Sequence, residues 1–409
     1  MRIEEWRKVI HQNFTGLVLP AEIGLSVTCQ LLIDDISNPF GLVYVDVPSS
    51  GKTIVLNFFS DCKDLVYTTD SFTAASFVSH AANVKTKDLP KIDLLPKIKD
   101  KVLIVRDLAP LFGMRDDDLL KTVGILTRIF DGEGYKADGG VHGGRGYEEE
   151  CLFMLLSAST PIRPRVWKVM GNFGARLFFY NLNAPDKSTN TLASQLSAKS
   201  SPKEKEKVCR EATFKLLNEL FFNRGDGIFW DKQADNRQLL EEIAIIAQLV
   251  ACLRGTINVW EELAADGKFN HTEPQIEKPD RINQCLYNLA RGHAVACGRT
   301  TLNDQDIAIV LRVALCSASF ERTKLLNKLI ENDAVLMTDQ VIHGMDWSRT
   351  SALKYMEVFR YLKIVDEVSP SNLAVGRSEK VIRLTEQFTW LMSKRFKELQ
   401  ALTGSDMVD

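Results

Sequence analysis

The sequence has no paired cysteines. Eight stand singly, at positions 29, 62, 151, 209, 252, 285, 297 and 316, with no CxxC among them. The six histidines share no ligand-like spacing with them or with each other. Neither a zinc site nor a disulfide framework is expected from this pattern, and scattered thiols fit a reducing compartment. Charge of one sign is missing too. Fifty-one Lys and Arg against 53 Asp and Glu leave a net charge of −2. No global basic field draws the chain onto nucleic acid or anionic lipid, so any such contact must come from a local patch. The opening MRIEEWRKVIHQ is charged and amphipathic, with no apolar signal core. The longest apolar runs, such as Ile243 to Leu253, fall short of the ~20 residues that a membrane span needs. The expectation is a soluble, cytoplasmic protein with no membrane partner. No internal repeat is present.

What remains is an ordinary globular composition, 45% hydrophobic and 25% charged over 409 residues, enough for about two or three domains of ~150 residues. Residues 1–40 read as a helical segment, with Trp6, Val9 and Ile10 at helical spacing. The period then changes. GLVYVDV at 41–47 is a β-rich run, and further strands are expected at 65–70, 101–107, 151–159 and 176–182, alternating with helical patterns. That alternation predicts a parallel α/β sheet over 41–183. Residues 184–207 are small, polar and then charged, the composition of a linker. Residues 208–320 carry only helical patterns, predicting an all-α domain. The last segment, 321–409, reads as three helices followed by β-like stretches near 363–368 and 380–384.

The strand GLVYVDV runs into Pro48-Ser49-Ser50-Gly51-Lys52-Thr53 and then a helix. In a tight loop of this kind, with a helix start behind it, backbone N–H groups make a nest for phosphate oxygens. Lys52 would reach the β- and γ-phosphates of ATP and Thr53 would hold Mg²⁺. The full pattern GxxxxGK[ST] has a glycine where this chain has Asp46, which either repels a triphosphate or faces away at the strand end. A P-loop ATPase also needs a neighbouring strand ending in acidic residues. KVLIVRD has that form, ending in Arg106-Asp107 in place of two acids. Asp107 is the candidate for activating water and holding the metal.

The order of these motifs resembles the AAA+ ATPases, and within them the minichromosome-maintenance helicase-like branch, over roughly residues 40–400. The resemblance implies an α/β P-loop domain with a parallel sheet, an α-helical lid and a C-terminal winged helix. It also implies a homo-oligomeric ring. In CLFMLLSASTPI, Thr160 matches the sensor 1 position that orients water near the γ-phosphate, with Ser159 as the alternative. In MGNFGARLFFYNL, Arg176 matches the arginine finger that acts on a neighbouring subunit's nucleotide. Arg281, opening a helix in EKPDRINQC, matches the sensor 2 arginine that reads the γ-phosphate when the lid closes, and Arg291 is a second candidate. The glycine-rich DGEGYKADGGVHGGRGYEEE at 131–150 matches the pore-facing pre-sensor hairpin. Lys136, His142 and Arg145 would contact DNA there, with Tyr135 or Tyr147 stacking on bases.

At 321–409 the implied winged helix has Gly344 in its turn and Ser348, Arg349 and Thr350 opening the third helix, where side chains enter a major groove. Arg349 and Lys354 would contact groove or phosphate, with Arg377 and Lys380 on the wing. Many such units bind proteins instead. The implied activity is ATP-driven helicase-like translocation or remodelling of DNA. The alternatives are a nucleotide-dependent switch or loader, and a DNA-binding regulator with little or no hydrolysis. The chain carries no nuclease, protease or methyltransferase motif, so any such activity would come from a protein partner.

Overall fold

The computed structural model describes residues 1–79, 86–139, 143–197, 200–222, 227–261, 269–368 and 380–402. The chain opens with α1 (Ile3–Asn13), whose Trp6 and Ile10 are buried at helical spacing, and α2 (Val18–Cys29), which is buried almost throughout. Together with its flanking turns, Thr15–Leu32 is long and apolar enough to cross a membrane, yet 78% of it lies inside the protein. The expectation that no run reaches that length is corrected here. Glu22, Ser26, Thr28 and Gln30 interrupt the apolar pattern in the sequence but are all buried.

Strand and helix then alternate. β1 (Phe40–Val45) is buried along its whole length, as a central parallel strand must be. It leads to α3 (Lys52–Asn57) and β2 (Val66–Thr69). Short helices α4 (Ala74–Phe77), α5 (Leu89–Ile92) and α6 (Leu94–Ile98) precede β3 (Lys101–Val105), followed by α7 (Ala109–Phe112) and α8 (Asp116–Ile129). β4 (Tyr135–Gly139) and β5 (Gly143–Tyr147) pair antiparallel as a hairpin. β6 (Phe153–Ser159), α9 (Pro164–Phe173) and β7 (Leu177–Asn181) complete the layer.

The five long strands form one parallel sheet in the order β2-β3-β6-β1-β7. Side-chain alternation divides the core: Phe40, Leu42 and Tyr44 face the larger cluster, Val43 and Val45 the smaller. The chain leaves β1 toward the β2 edge and leaves β6 toward β7. With right-handed crossovers these connections pass over opposite faces. The carboxyl ends of β1 and β6 therefore flank a topological switch point, where ligands bind in open α/β sheets.

The polar composition of 184–207 points to a linker, but this stretch contains α10 (Thr189–Leu196) and the start of α11 (Pro202–Phe222). α10 buries none of its residues and is started by Ser188, whose side chain accepts from the Thr191 N–H. Capping and helix-forming residues suffice there, so polarity signals solvation and not irregular chain. α12 (Arg237–Arg254) follows, then a small hairpin of β8 (Val259–Glu261) and β9 (Phe269–His271), which the helical patterns of 208–320 do not predict. α13 (Asp280–Ala296) and α14 (Asp304–Cys316) complete this region.

α13 packs on α2, and a Cβ at Gly292 would lie 2.1 Å from the Ser26 carbonyl, so only glycine allows this approach. The C-terminal unit has α15 (Phe320–Glu331), β10 (Val335–Met337), α16 (Thr338–Met345) and α17 (Arg349–Tyr361). β11 (Val365–Val368), β12 (Val381–Leu384) and α18 (Lys394–Leu402) follow. Its three strands pair antiparallel in the order β10-β12-β11. The turn between α16 and α17 begins at Asp346, φ 55°, and Gly344 lies inside α16. α18 ties the unit down through Arg395, paired with Glu242 on α12 and Asp304 on α14.

Candidate functional site

The loop after β1 is held open by backbone conformation. Gly51 caps α3 at φ 101°, and Ser49 also has a positive φ of 67°. Left-handed residues next to helical ones turn successive N–H groups toward a common point, which is how a loop binds an anion. α3 has only six residues, so the loop's own N–H groups matter more here than a helix dipole. A Cβ on Gly51 would meet the Leu17 side chain at 3.1 Å, so the N-terminal segment packs directly against the loop.

Lys52 lies across this loop. Its ammonium donates to the carbonyls of Asp46 (2.7 Å) and Val47 (2.6 Å) and to Ser50 Oγ (3.1 Å). Three acceptors take its three protons. Burial lowers its pKa, and the charges of Asp46 and Asp107 act against that. A phosphate would offer charged oxygens in place of neutral acceptors, and charge-assisted bonds are about twice as strong. Asp46 does not point into the loop. Its carboxylate accepts from the Val47 N–H (2.7 Å) and the Ala184 N–H (3.0 Å), tying the end of β1 to the chain after β7.

At the end of β3, Arg106 turns along the sheet to Asp70, 3.0 Å away beyond β2. Asp107 is exposed, and its Oδ1 accepts from the Ala109 N–H at 2.8 Å. At the end of β6, the Ser159 hydroxyl donates to the Thr160 carbonyl (2.9 Å), whereas Thr160 itself is exposed. The Asp46 N–H reaches the Ser159 carbonyl at 3.4 Å, so Thr160 adjoins the loop. Thr53 is exposed on the first turn of α3. Pro48, Ser49, Ser50, Gly51, Lys52, Thr53, Asp107 and Thr160 thus gather at the carboxyl ends of adjacent strands. Thr53 and Asp107 supply the hard oxygen donors that Mg²⁺ prefers.

Arg176 and Arg281 lie elsewhere. Arg176 precedes β7, and its carbonyl accepts from the Gly41 N–H at the start of β1 (3.2 Å). It shares Asp131 Oδ1 with Arg281, at 2.6 and 2.7 Å. Both arginines therefore sit at the amino ends of the strands, one strand length of ~20 Å from their own loop. This placement leaves Arg281 far from the Lys52 loop of its own chain. Arg291 has no exposed surface, being held by Asp35 and Asn288 (2.5 Å each).

The hairpin also differs from expectation. Its tip, with His142, lies outside the described residues. Lys136 is paired with Glu148, and Arg145 reaches the Ser79 carbonyl at 3.5 Å. Tyr135 and Tyr147 pack against the smaller core cluster, and the Tyr147 hydroxyl donates to the buried Asp93 at 2.8 Å. Both rings are half-buried. In the C-terminal unit, Arg349, Thr350 and Lys354 are exposed at the start of α17, with Arg349 3.7 Å from Asp339. Ser348 is used as the cap of that helix, accepting from the Ser351 N–H. Lys380 is mostly buried between Glu357 and Glu367 and offers little charge to a ligand. Arg377 lies outside the described residues.

One cluster has no counterpart in the motif reading. His293 sits between Asp306 (Nδ1, 2.5 Å) and Glu22 (Nε2, 2.8 Å), all three buried. Arg7 pairs with Glu22, and Arg299 pairs with Asp306 at 2.8 Å. Burial alone would raise the Glu22 carboxyl, but bonds from His293 and Arg7 hold it down at about 2. Burial alone would lower His293, but its partners, Asp306 first, raise it well above the ordinary imidazole value. Glu22, His293 and Cys297 bring one oxygen, one nitrogen and one sulfur within 4.8 Å of each other, a set able to hold a metal ion. Arg7 also touches Cys297 Sγ at 3.7 Å and puts a cation where the metal would sit. The sequence signal was an acid inside the apolar run of α2. Its partner lies 271 residues away.

Compared with known proteins, the chain matches no family model and no curated protein.

Proposed function

We propose that this chain is an AAA+-type P-loop ATPase that binds ATP–Mg²⁺, assembles into a ring and acts on DNA as a helicase-like translocase or remodeller. The observation that carries this function is Lys52 on a loop capped by left-handed Gly51, beside Asp107 and Thr160, at the switch point of a parallel sheet. In this mechanism the loop N–H groups and Lys52 bind and orient the phosphates, and Thr160 positions water. Mg²⁺, held by Thr53 and Asp107, would neutralise charge on the β- and γ-phosphate oxygens. Arg176 and Arg281 face away from their own loop, which fits action on the nucleotide of a second copy. In this reading helices α11–α14 serve as the lid, and the helices and antiparallel strands from α15 to α18 serve as the winged helix. A cytoplasmic setting suits eight cysteines with no disulfide among them.

A nucleotide-dependent switch with weak hydrolysis is the second reading. It is favoured by Asp107 accepting from a backbone N–H and by the absence of a second acid at Arg106. Steady-state ATP turnover with and without single- and double-stranded DNA separates the two. The expected result is DNA-stimulated turnover that disappears in Lys52→Ala. Tight ATP binding without turnover would remove the translocase and leave the switch.

For DNA contact, the Arg349→Ala/Lys354→Ala variant is expected to weaken binding across all sequences and reduce the salt slope by about two units, one per lost phosphate contact. Lys380→Ala is expected to leave the slope alone and lower the melting temperature. An unchanged slope in the double variant would mean that α17 does not carry DNA binding.

A further inference from the structure

Three arginines converge on Asp131. Arg176 donates to its Oδ1 through Nη2 (2.6 Å) and Nε (3.2 Å), and Arg281 donates to the same oxygen through Nη1 (2.7 Å). Arg128 lies 3.6 Å from Oδ2 and also pairs with Glu133 at 3.2 Å. Behind them, the fully buried Arg254 donates to the carbonyls of Leu177 and Gly174 (2.9 Å each) and lies 3.4 Å from Glu277. Glu277 accepts from the Ala175 N–H at 3.1 Å, which fixes the turn carrying Arg176.

This arrangement carries an electrostatic cost. Asp131 follows the last turn of α8, where the helix dipole disfavours an anion. Arg176 and Arg281 are like charges on one oxygen. Burial lowers the Arg176 pKa and the charge of Arg281 lowers it further, with Asp131 opposing both. Arg281 Nε is buried without a partner. The cluster keeps its outer face open, with Arg176 and Arg281 side chains 14% and 25% exposed.

We propose that Asp131 is a positioning residue for catalysis across subunits: its carboxylate holds Arg176 and Arg281 side by side, poised for the terminal phosphate of a nucleotide bound by a second copy of this chain. This rests on the function proposed above. Without the carboxylate the two guanidinium groups lose their shared anion and keep only backbone partners, Arg176 the Thr127 and Phe173 carbonyls and Arg281 the Phe130 carbonyl. Their repulsion is then uncompensated, and a misplacement of ~1 Å at such a group costs on the order of a hundredfold in rate.

Mixed assemblies test it. In a mixture of Lys52→Ala and Arg176→Ala chains, a competent interface takes its loop from the Arg176→Ala chain and its arginines from the Lys52→Ala chain. Asp131→Asn is then added to one component at a time. On the chain donating the arginines it is expected to lower turnover at least about tenfold with an unchanged KM for ATP. On the chain donating the loop it is expected to leave turnover within about twofold. Equal loss in both placements would overturn the proposal, because a folding defect does not depend on which chain carries it. No loss in either placement would overturn it as well. If wild type turns over ATP and the undecorated mixture does not, the cross-subunit role of Arg176 fails, and the role of Asp131 falls with it.

Discussion

Arg176→Ala is expected to lower ATP turnover on the order of a thousandfold or more while leaving the KM for ATP within about twofold of wild type. The split follows from position. On the proposed function KM reports the Lys52 loop at the carboxyl end of β1, and Arg176 sits at the amino end of β7, ~20 Å away along the sheet. An arginine that meets the phosphate only across an interface contributes to the transition state and little to binding in its own chain. The substitution does not leave Asp131 as an orphaned charge, because Arg281 and Arg128 still pair with it, so the fold is expected to survive. Arg176→Lys is expected to recover little, since an ammonium cannot reproduce the planar fork. Mixing with Lys52→Ala chains should restore part of the turnover. If Arg176→Ala turns over as wild type does, the arginine serves only to hold the α8–β7 region together, and the ring model loses its main support.

The second large effect concerns stability. Glu22→Ala is expected to destabilise the protein by about 3–5 kcal/mol, because removing one member of a buried ion network leaves the others uncompensated. Arg7 and His293 would lose their shared carboxylate, and α2 would lose a tie to both α1 and α13. The signs with pH differ for the two partners. The folded Glu22 pKa is depressed to about 2, so its contribution is whole above the ordinary carboxylate range and is lost as pH falls toward 2. The folded His293 pKa is raised, so its contribution is whole below the ordinary imidazole value of about 6.5. That contribution disappears as pH climbs through the raised value. Stability should therefore peak between these limits, and His293→Asn should flatten the alkaline decline. Thermal melting across pH checks both. A Glu22→Ala protein that melts within a degree or two of wild type would show that the network adds nothing net.

Much of the frame was legible in the linear pattern. Continuous apolar runs of five to seven residues became β1, β3, β6 and β7, and helical periodicity marked α15, α16 and α17. The GKT motif was legible because a strand ended a few residues before it and a helix began within it. Other features were hidden for stated physical reasons. α10 was missed because it buries nothing, and β8, β9 and β10 because three residues carry no measurable period. Tyr135 and Tyr147 look fully exposed in a glycine-rich hairpin, but each packs half-buried against the smaller core cluster.

The sequence by itself determined the long buried strands and helices and the strand–loop–helix turn at Gly51, since local spacing sets backbone periodicity. Only the tertiary structure decided that Arg176 and Arg281 meet on Asp131 at the far end of the sheet, that Arg106 turns to Asp70, and that Glu22 finds His293. Those pairings depend on strand order and on packing between segments far apart in the chain. No window along the sequence contains both partners.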